Sequence, residues 1–175
     1  MLKLLKLNRA ILFLILTVPW IIDYFYKFDD WNNYAAFSIL RYFLLFLWFI
    51  GLSVELNKRI PKSVSVSDTF FLINIFLIFL LYCCSYLFLE PGKNYSVSGL
   101  DALPYIPIFI YLLYAFINIY SYLSMLLTSI EEGREVEFSK RIGEMVLFFF
   151  FFIGVWWLQP RIIKALDKPE IESNS

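Results

Sequence analysis

Residues 68–89 read DTFFLINIFLIFLLYCCSYLFL, and no charged side chain follows Asp68 in this stretch. A helix of this length reaches about 33 Å, because each residue adds about 1.5 Å, and the hydrocarbon core of a bilayer is about 30 Å thick. A helix that is apolar on all sides belongs either in a bilayer or in the core of a large protein. The chain has only 175 residues, so the stretch predicts a membrane-spanning helix.

Three further apolar stretches lie on either side of it, at about 10–26, 34–56 and 103–130. Hydrophobic residues make up 61% of the chain and charged residues only 17%, which leaves too little polar surface to cover a soluble fold. The predicted fold class is therefore all-α. We expect a polytopic transmembrane bundle of four spans, forming a single membrane domain in the lipid bilayer.

A last apolar run, Met145 to Leu158, is shorter than the others. Its 14 residues give only about 21 Å of helix, and basic residues lie on both sides of it. The sequence predicts a re-entrant or interfacial segment at about 143–160, with a fifth span as the alternative. The polar tail at about 168–175 is predicted to be disordered.

Basic residues alternate along the chain. Lys and Arg number three before the first span, three between the second and third, and three between the fourth and the last apolar run, against one in each of the other two connections. Because positive charge is retained on the cytoplasmic side of a membrane, this distribution predicts a multi-pass protein with a cytoplasmic N-terminus.

Charged residues inside the first two spans form two pairs with the same spacing. Arg9 and Asp23 are 14 residues apart, as are Arg41 and Glu55, and 14 residues is nearly four helical turns. An antiparallel hairpin would bring Arg9 to Glu55 and Asp23 to Arg41. Since a lone charge in a bilayer is costly, we predict a two-rung clamp. Alternatively, Arg41 extends outward to the membrane surface or lines an ion or anion path.

The fourth span carries a polar and aromatic seam at steps of three and four residues, which places its members on one helix face. We interpret the seam as interhelical packing in which Asn118 bonds to Asn74 of the third span. The alternative is a pore lining built from several copies. The seam consists of Tyr111, Tyr114, Asn118, Ser121, Met125 and Thr128.

Enzyme motifs and metal-ligand patterns do not occur in the sequence. Histidine is absent, and the only two cysteines, Cys83 and Cys84, are adjacent within an apolar run. No cofactor and no metal are therefore predicted. Without a basic run or a nucleic-acid motif, no nucleic acid is expected as a partner.

The densest group of acidic residues lies at 131–144, where basic residues are interleaved with them. We interpret it as a solvated cytoplasmic helix with internal ion pairs. The alternative is a docking surface for a cytoplasmic protein partner.

Residues 148–163 read FFFFFIGVWWLQPRII. This stretch resembles the ending of an uncharacterised family of small bacterial four-helix membrane proteins, in which a Phe-rich stretch leads to Pro-Ile-Gly, a Trp and Gln-Pro-Arg-Ile-Asn. Phe152 stands where the family has proline, and Ile163 where it has asparagine. The resemblance implies a four-helix fold in a bacterial inner membrane and implies no activity. The matching residues are Ile153, Gly154, Trp156, Gln159, Pro160, Arg161 and Ile162.

The physical properties of the residues in this motif give a second interpretation, which does not depend on the resemblance. Gly154 and Pro160 are expected to interrupt a short helix. Trp156 and Trp157 are expected at headgroup depth, and Arg161 is expected to reach lipid phosphate. These features favour a segment that dips into the cytoplasmic leaflet.

The function predicted from the sequence is a non-enzymatic integral membrane protein that acts by helix assembly. It would be a pore-forming or membrane-perturbing effector, or a subunit regulated by a partner, and would form a homo-oligomer or join a membrane complex. The alternative is a scaffold subunit of a larger complex. The least favoured class is a lipid-modifying enzyme, which would have to use Glu90 or Asp101.

Overall fold

The computed structural model describes residues 5–25, 31–64, 66–88, 99 and 103–170. Regular secondary structure in these ranges is entirely helical, so the all-α prediction is confirmed for them. The helices are α1 (Arg9–Phe25), α2 (Trp31–Asn57), α3 (Thr69–Phe88), α4 (Tyr105–Glu132), α5 (Phe138–Phe149) and α6 (Phe151–Leu166).

Three of these helices, α2, α3 and α4, are long and apolar enough to cross a membrane. The apolar part of α1, Arg9–Ile22, is shorter. Together α5 and α6 would supply a fourth crossing only as one broken span, and they are bent by 120° relative to each other. The described helices are thus compatible with a multi-pass membrane protein.

One end of the bundle, which we call the closed end, brings together the start of α1 and the ends of α2, α4 and α6. Lys6 Nζ lies 2.6 Å from Asp167 Oδ1, and Arg59 Nε donates to the Lys168 carbonyl at 3.1 Å. Lys168 Nζ in turn donates to the carbonyl of Ile130. Because α6 also packs against α1, α2 and α4, it fills the space between the first and fourth helices.

The tail predicted to be disordered starts within this network. Arg59 Nη2 donates to Glu170 Oε1 at 3.1 Å, in addition to its bond with Lys168. Residues 171–175 lie outside the described part of the chain.

Burial along α4 changes completely from one end to the other. Every residue from Tyr105 to Ile110 is exposed, and every residue from Leu126 to Ile130 is buried. Because α5 and α6 flank the second half of α4, they enclose it, whereas the first half, residues 105–117, is largely uncovered. We call residues 105–117 the outer half of α4.

The helix ends at Glu132 because Gly133 adopts a left-handed conformation, with φ of 72°, and its N–H donates to the Ser129 carbonyl at 2.9 Å. The single solvated helix expected at 131–144 is therefore wrong. Residues 133–137 form a non-helical link, and the chain resumes as α5 at Phe138.

A helical hairpin, α5 and α6, replaces the short segment predicted at 143–160. The two helices meet at Phe150, whose φ and ψ of −89° and 56° are not helical. The expectation that Gly154 and Pro160 interrupt the helix is wrong, since both lie inside α6. Proline removes only one amide donor, whereas Gly154 has a packing role: a Cβ built there would lie 1.8 Å from the Leu147 carbonyl oxygen.

The Phe-rich tip of the hairpin lies between the first and fourth helices. The Phe152 ring packs edge-on against Trp20 of α1 at 5.5 Å, and the Phe149 ring packs edge-on against Tyr120 of α4 at 5.5 Å. Trp20 and Tyr120 each lie about 11 to 12 residues, or roughly 16 to 18 Å, from the closed end of their helices. The tip therefore reaches about halfway along the bundle.

The Gly154→Ala variant is expected to weaken the hairpin, because its methyl group would clash with the Leu147 backbone, which cannot rotate away. Overpacking of this kind typically costs about 1–3 kcal/mol. The matched control is Gly143→Ala in α5, where an added Cβ meets nothing within 4 Å and alanine improves helix propensity. Thermal unfolding in detergent micelles should show a lower midpoint for the first variant alone. Equal midpoints would contradict the proposed contact.

Candidate functional site

Three polar side chains join α3 to α4 within their apolar stretches. Asn74 Nδ2 donates to Asn118 Oδ1 at 2.9 Å, and the Tyr111 hydroxyl donates to Asn74 Oδ1 at 2.9 Å. Asn74 is only 2% exposed. The predicted bond between Asn74 and Asn118 is present, and we call these three residues the amide triad. Its hydrogen bonds hold the two helices together.

The rest of the predicted seam does not form one surface. Tyr114 is exposed, whereas the Ser121 carbonyl accepts a bond from Ser124 Oγ at 2.9 Å. Thr128 Oγ1 donates to the Ser124 carbonyl at 2.8 Å. Both bonds stay within α4 and satisfy the hydroxyl groups of Ser124 and Thr128 locally, whereas Ser121 takes part through its backbone carbonyl.

Arg41 lies in an aromatic setting in the first half of α2. Its Cζ atom is 4.2 Å from the Trp20 ring centroid and 5.0 Å from that of Tyr42. The residue is only 7% exposed, so it does not extend outward from its helix. Stacking of guanidinium on aromatic rings stabilises a charge held away from water. The side chain of Asp23 lies outside the described residues, so the pairing of Asp23 with Arg41 stays a prediction.

The other predicted rung, between Arg9 and Glu55, is wrong. Glu55 binds Lys58 Nζ at 3.0 Å and Arg59 Nη1 at 3.4 Å. The Arg9 guanidinium lies instead against Trp156, with Cζ 5.8 Å from the ring centroid. Residues three and four positions along the same helical path are closer to Glu55 than a side chain on another helix, so local pairing prevails.

Arg59 is a buried charged residue whose contacts with the tail the sequence does not predict. Its side chain is only 5% exposed, and it bonds to the Glu55 carbonyl, the Lys168 carbonyl and the Glu170 carboxylate. A buried charge of this kind is tolerated only when its donors are satisfied. The spacing of four residues between Glu55 and Arg59 could have predicted their ion pair. No sequence pattern indicates the contacts of Arg59 with Lys168 and Glu170.

Gln159 attaches α6 to the first residues of the chain. The side chain is fully buried, and Nε2 donates to the carbonyls of Leu5 at 2.7 Å and Leu7 at 2.9 Å. Both carbonyls precede α1, and the first backbone bond at its start runs from the Leu12 N–H to the Asn8 carbonyl. Gln159 therefore supplies donors to backbone groups that lie before the helix.

Arg161 does not extend toward lipid phosphate, contrary to expectation. Its Nε and Nη2 atoms bond to the Glu131 carboxylate, the former at 2.8 Å, and Nη2 also lies 3.0 Å from Glu144 Oε1. The carboxylates come from the end of α4 and from α5, so one guanidinium joins three helices. Trp156 and Trp157 remain exposed on α6, at 39% and 60%.

The residues that the structure describes contain no group of three or more His, Cys, Asp or Glu side chains that could hold a metal ion. Cys83 and Cys84 are free thiols. Glu90 and Asp101 lie outside the described residues. What the described polar groups do is join helices to one another and to the chain ends.

Comparison of the chain with protein-family models, with curated proteins and with solved structures finds no match.

The amide triad predicts a difference between two tyrosines on α4. Tyr111→Phe removes the donor to Asn74 Oδ1 and should lower the stability by about 0.6–1.7 kcal/mol, the range measured for interhelical hydrogen bonds in membranes. Tyr114→Phe is the matched control, since Tyr114 is 52% exposed and should change the stability by less than about 0.5 kcal/mol. Steric trapping or thermal unfolding in bicelles measures both. Equal losses of stability in the two variants would show that the hydrogen bond from Tyr111 to Asn74 does not stabilise the protein.

Proposed function

We propose that this chain is a non-enzymatic integral membrane protein that acts by assembly of its helices in a bacterial inner membrane. The proposal is based on one observation: polar side chains within the apolar helices make their contacts inside the chain. The amide triad is satisfied within the chain, and Arg41 is stacked on aromatic rings. The surfaces left for other molecules along the spans are apolar and aromatic, which is chemistry for packing.

The proposed topology has four spans, α1 to α4, and a re-entrant hairpin, α5 and α6, with the closed end in the cytoplasm. Two features support it. The hairpin leaves α4 at the closed end and returns there, where Asp167 pairs with Lys6. Most of the Lys and Arg residues lie at the same end, and cytoplasmic loops of membrane proteins carry an excess of these residues. The likeness of residues 148–163 to a bacterial four-helix family agrees with this arrangement.

Reporter fusions test the topology at two points on either side of the hairpin. A phosphatase, which is active only outside the cytoplasm, is fused after Glu137 in one variant and after Glu170 in the other. Both fusions should be inactive, and the matching fluorescent-protein fusions should be bright. A phosphatase fused after Gly99 is the positive control and should be active. Activity after Glu170 but not after Glu137 would show that the hairpin spans the membrane.

Self-association is the form of assembly that we favour, with the outer half of α4 as the contact surface. This half carries no charged residue, and its first six residues are exposed on every side of the helix. A second copy presents the same ring-rich surface, so aromatic pairs can form across a two-fold axis. The seam is a poor candidate for a pore lining, because Asn74 already occupies the amide of Asn118.

The mass of the particle in nanodiscs tests this proposal. Phe109→Ala lies on the outer half of α4, and Phe76→Ala on α3 is its matched control, since both phenylalanines are 63% exposed. Aromatic pairs contribute about 0.5–1.5 kcal/mol, so the first variant should raise the dissociation constant about two- to tenfold. The second should leave the oligomer unchanged. A monomeric wild type would defeat the proposal.

A scaffold subunit of a larger complex is the second candidate, and the exposed link between α4 and α5 favours it. Glu132, Arg134, Glu135 and Lys140 are exposed there and could bind a cytoplasmic protein. A foreign subunit at fixed stoichiometry in the nanodisc particle would support this candidate and contradict self-association.

A further inference from the structure

Arg141, in the first turns of α5, differs from Arg59, Arg134 and Arg161 near the closed end in its pairing. It differs from Arg9, which also lies against an aromatic ring, in its burial, since Arg9 is exposed. The Nε and Nη1 atoms of Arg141 are buried without a hydrogen-bond partner. Arg59, Arg134 and Arg161 are each paired with a carboxylate. Among the described residues Arg141 has no ion pair, and its one recorded contact is with an aromatic ring: Cζ lies 5.7 Å from the centroid of Phe138.

The charge of Arg141 is not balanced by its nearest acidic neighbour. Glu135 acts on it electrostatically, but Glu135 is exposed and the two form no salt bridge. A half-buried guanidinium without a counter-charge is costly in a low-dielectric setting. An anion from outside the chain would remove that cost.

An apolar groove of about 390 Å³ begins at the same phenylalanine. Leu113 and Ile117 of α4 form one wall, and Phe138, Ile142 and Val146 of α5 form the other. Its volume lies within the range of about 300–1,000 Å³ that small-molecule sites occupy. The Phe138 ring therefore has an unpaired guanidinium beside it and lines a groove that is apolar along its length.

We propose that Arg141 and this groove bind one phospholipid, with its phosphate on the Arg141 guanidinium and part of an acyl chain between α4 and α5. Nη2 is the guanidinium nitrogen of Arg141 that is not among the buried, unpartnered atoms, and it can donate a charge-assisted hydrogen bond to a phosphate oxygen. The groove selects an occupant with an attached hydrocarbon chain. Lys140, exposed next to Arg141, adds positive charge at the headgroup. The groove shares Leu113 and Ile117 with the outer half of α4. The headgroup contact lies at Arg141 on α5, and the proposal does not rest on self-association.

Native mass spectrometry of the full chain, delipidated in detergent and titrated with phosphatidylglycerol, tests the phosphate part. Diacylglycerol with the same acyl chains serves as the phosphate-free probe. Wild type should bind one phosphatidylglycerol at least about tenfold more tightly than diacylglycerol, as expected for charge-assisted bonds. Arg141→Gln should abolish this preference. Arg134→Gln, an exposed arginine seven residues away, is the matched control and should keep it.

A second variant tests the groove and does not depend on how Arg141→Gln folds. Val146→Trp places a large ring in the groove from an exposed position and should weaken phosphatidylglycerol binding, with Arg141 intact. Retained preference in Arg141→Gln, or unchanged lipid binding in Val146→Trp, would overturn the proposal. So would full displacement of the lipid by inorganic phosphate, since that would make the site one for a free anion.

Discussion

The amide of Gln159 on the carbonyls of Leu5 and Leu7 is the contact on which the arrangement of the other helices depends. It fixes the end of the chain against its beginning, so α6 must lie between α1 and α4. Once α6 is there, it encloses the second half of α4 and leaves the outer half bare. Gln159 is fully buried, and a buried backbone carbonyl needs a hydrogen-bond donor from the protein, so the side chain that supplies two donor bonds at this place stabilises the packing around it.

Other buried polar groups also have partners within the chain. Asn74 and Asn118 lie within apolar stretches of two helices, and the amide of Asn74 donates to that of Asn118. Arg41 is enclosed by rings, and Arg161 by two carboxylates from neighbouring helices. Because these groups are engaged inside one chain, they add to stability and helix register.

The sequence predicted those features that follow from length or from the cost of an isolated polar group. Apolar stretches of about 20 residues or more located α2, α3 and α4 within a few positions, because such a stretch is long enough to cross a bilayer as one helix. An asparagine inside such a stretch requires a partner, and Asn74 was the one available to Asn118. The predictions that failed depended on geometry between elements. The rung from Arg9 to Glu55 assumed straight helices in matched register, and it ignored the nearer cations Lys58 and Arg59.

The hairpin shows why the remaining errors could not be avoided from the sequence. Gly154 and Pro160 are the residues that ordinarily break a helix, and the break lies instead at Phe150, one of five consecutive phenylalanines that local propensity cannot tell apart. Its position is set by the close approach of Gly154 to Leu147, which is a contact between two helices. A chain that turns there can return to the closed end, where the carboxylates of Glu131 and Glu144 reach Arg161. The turn and the ion pairs each depend on contacts between helices, which a single stretch of sequence does not encode.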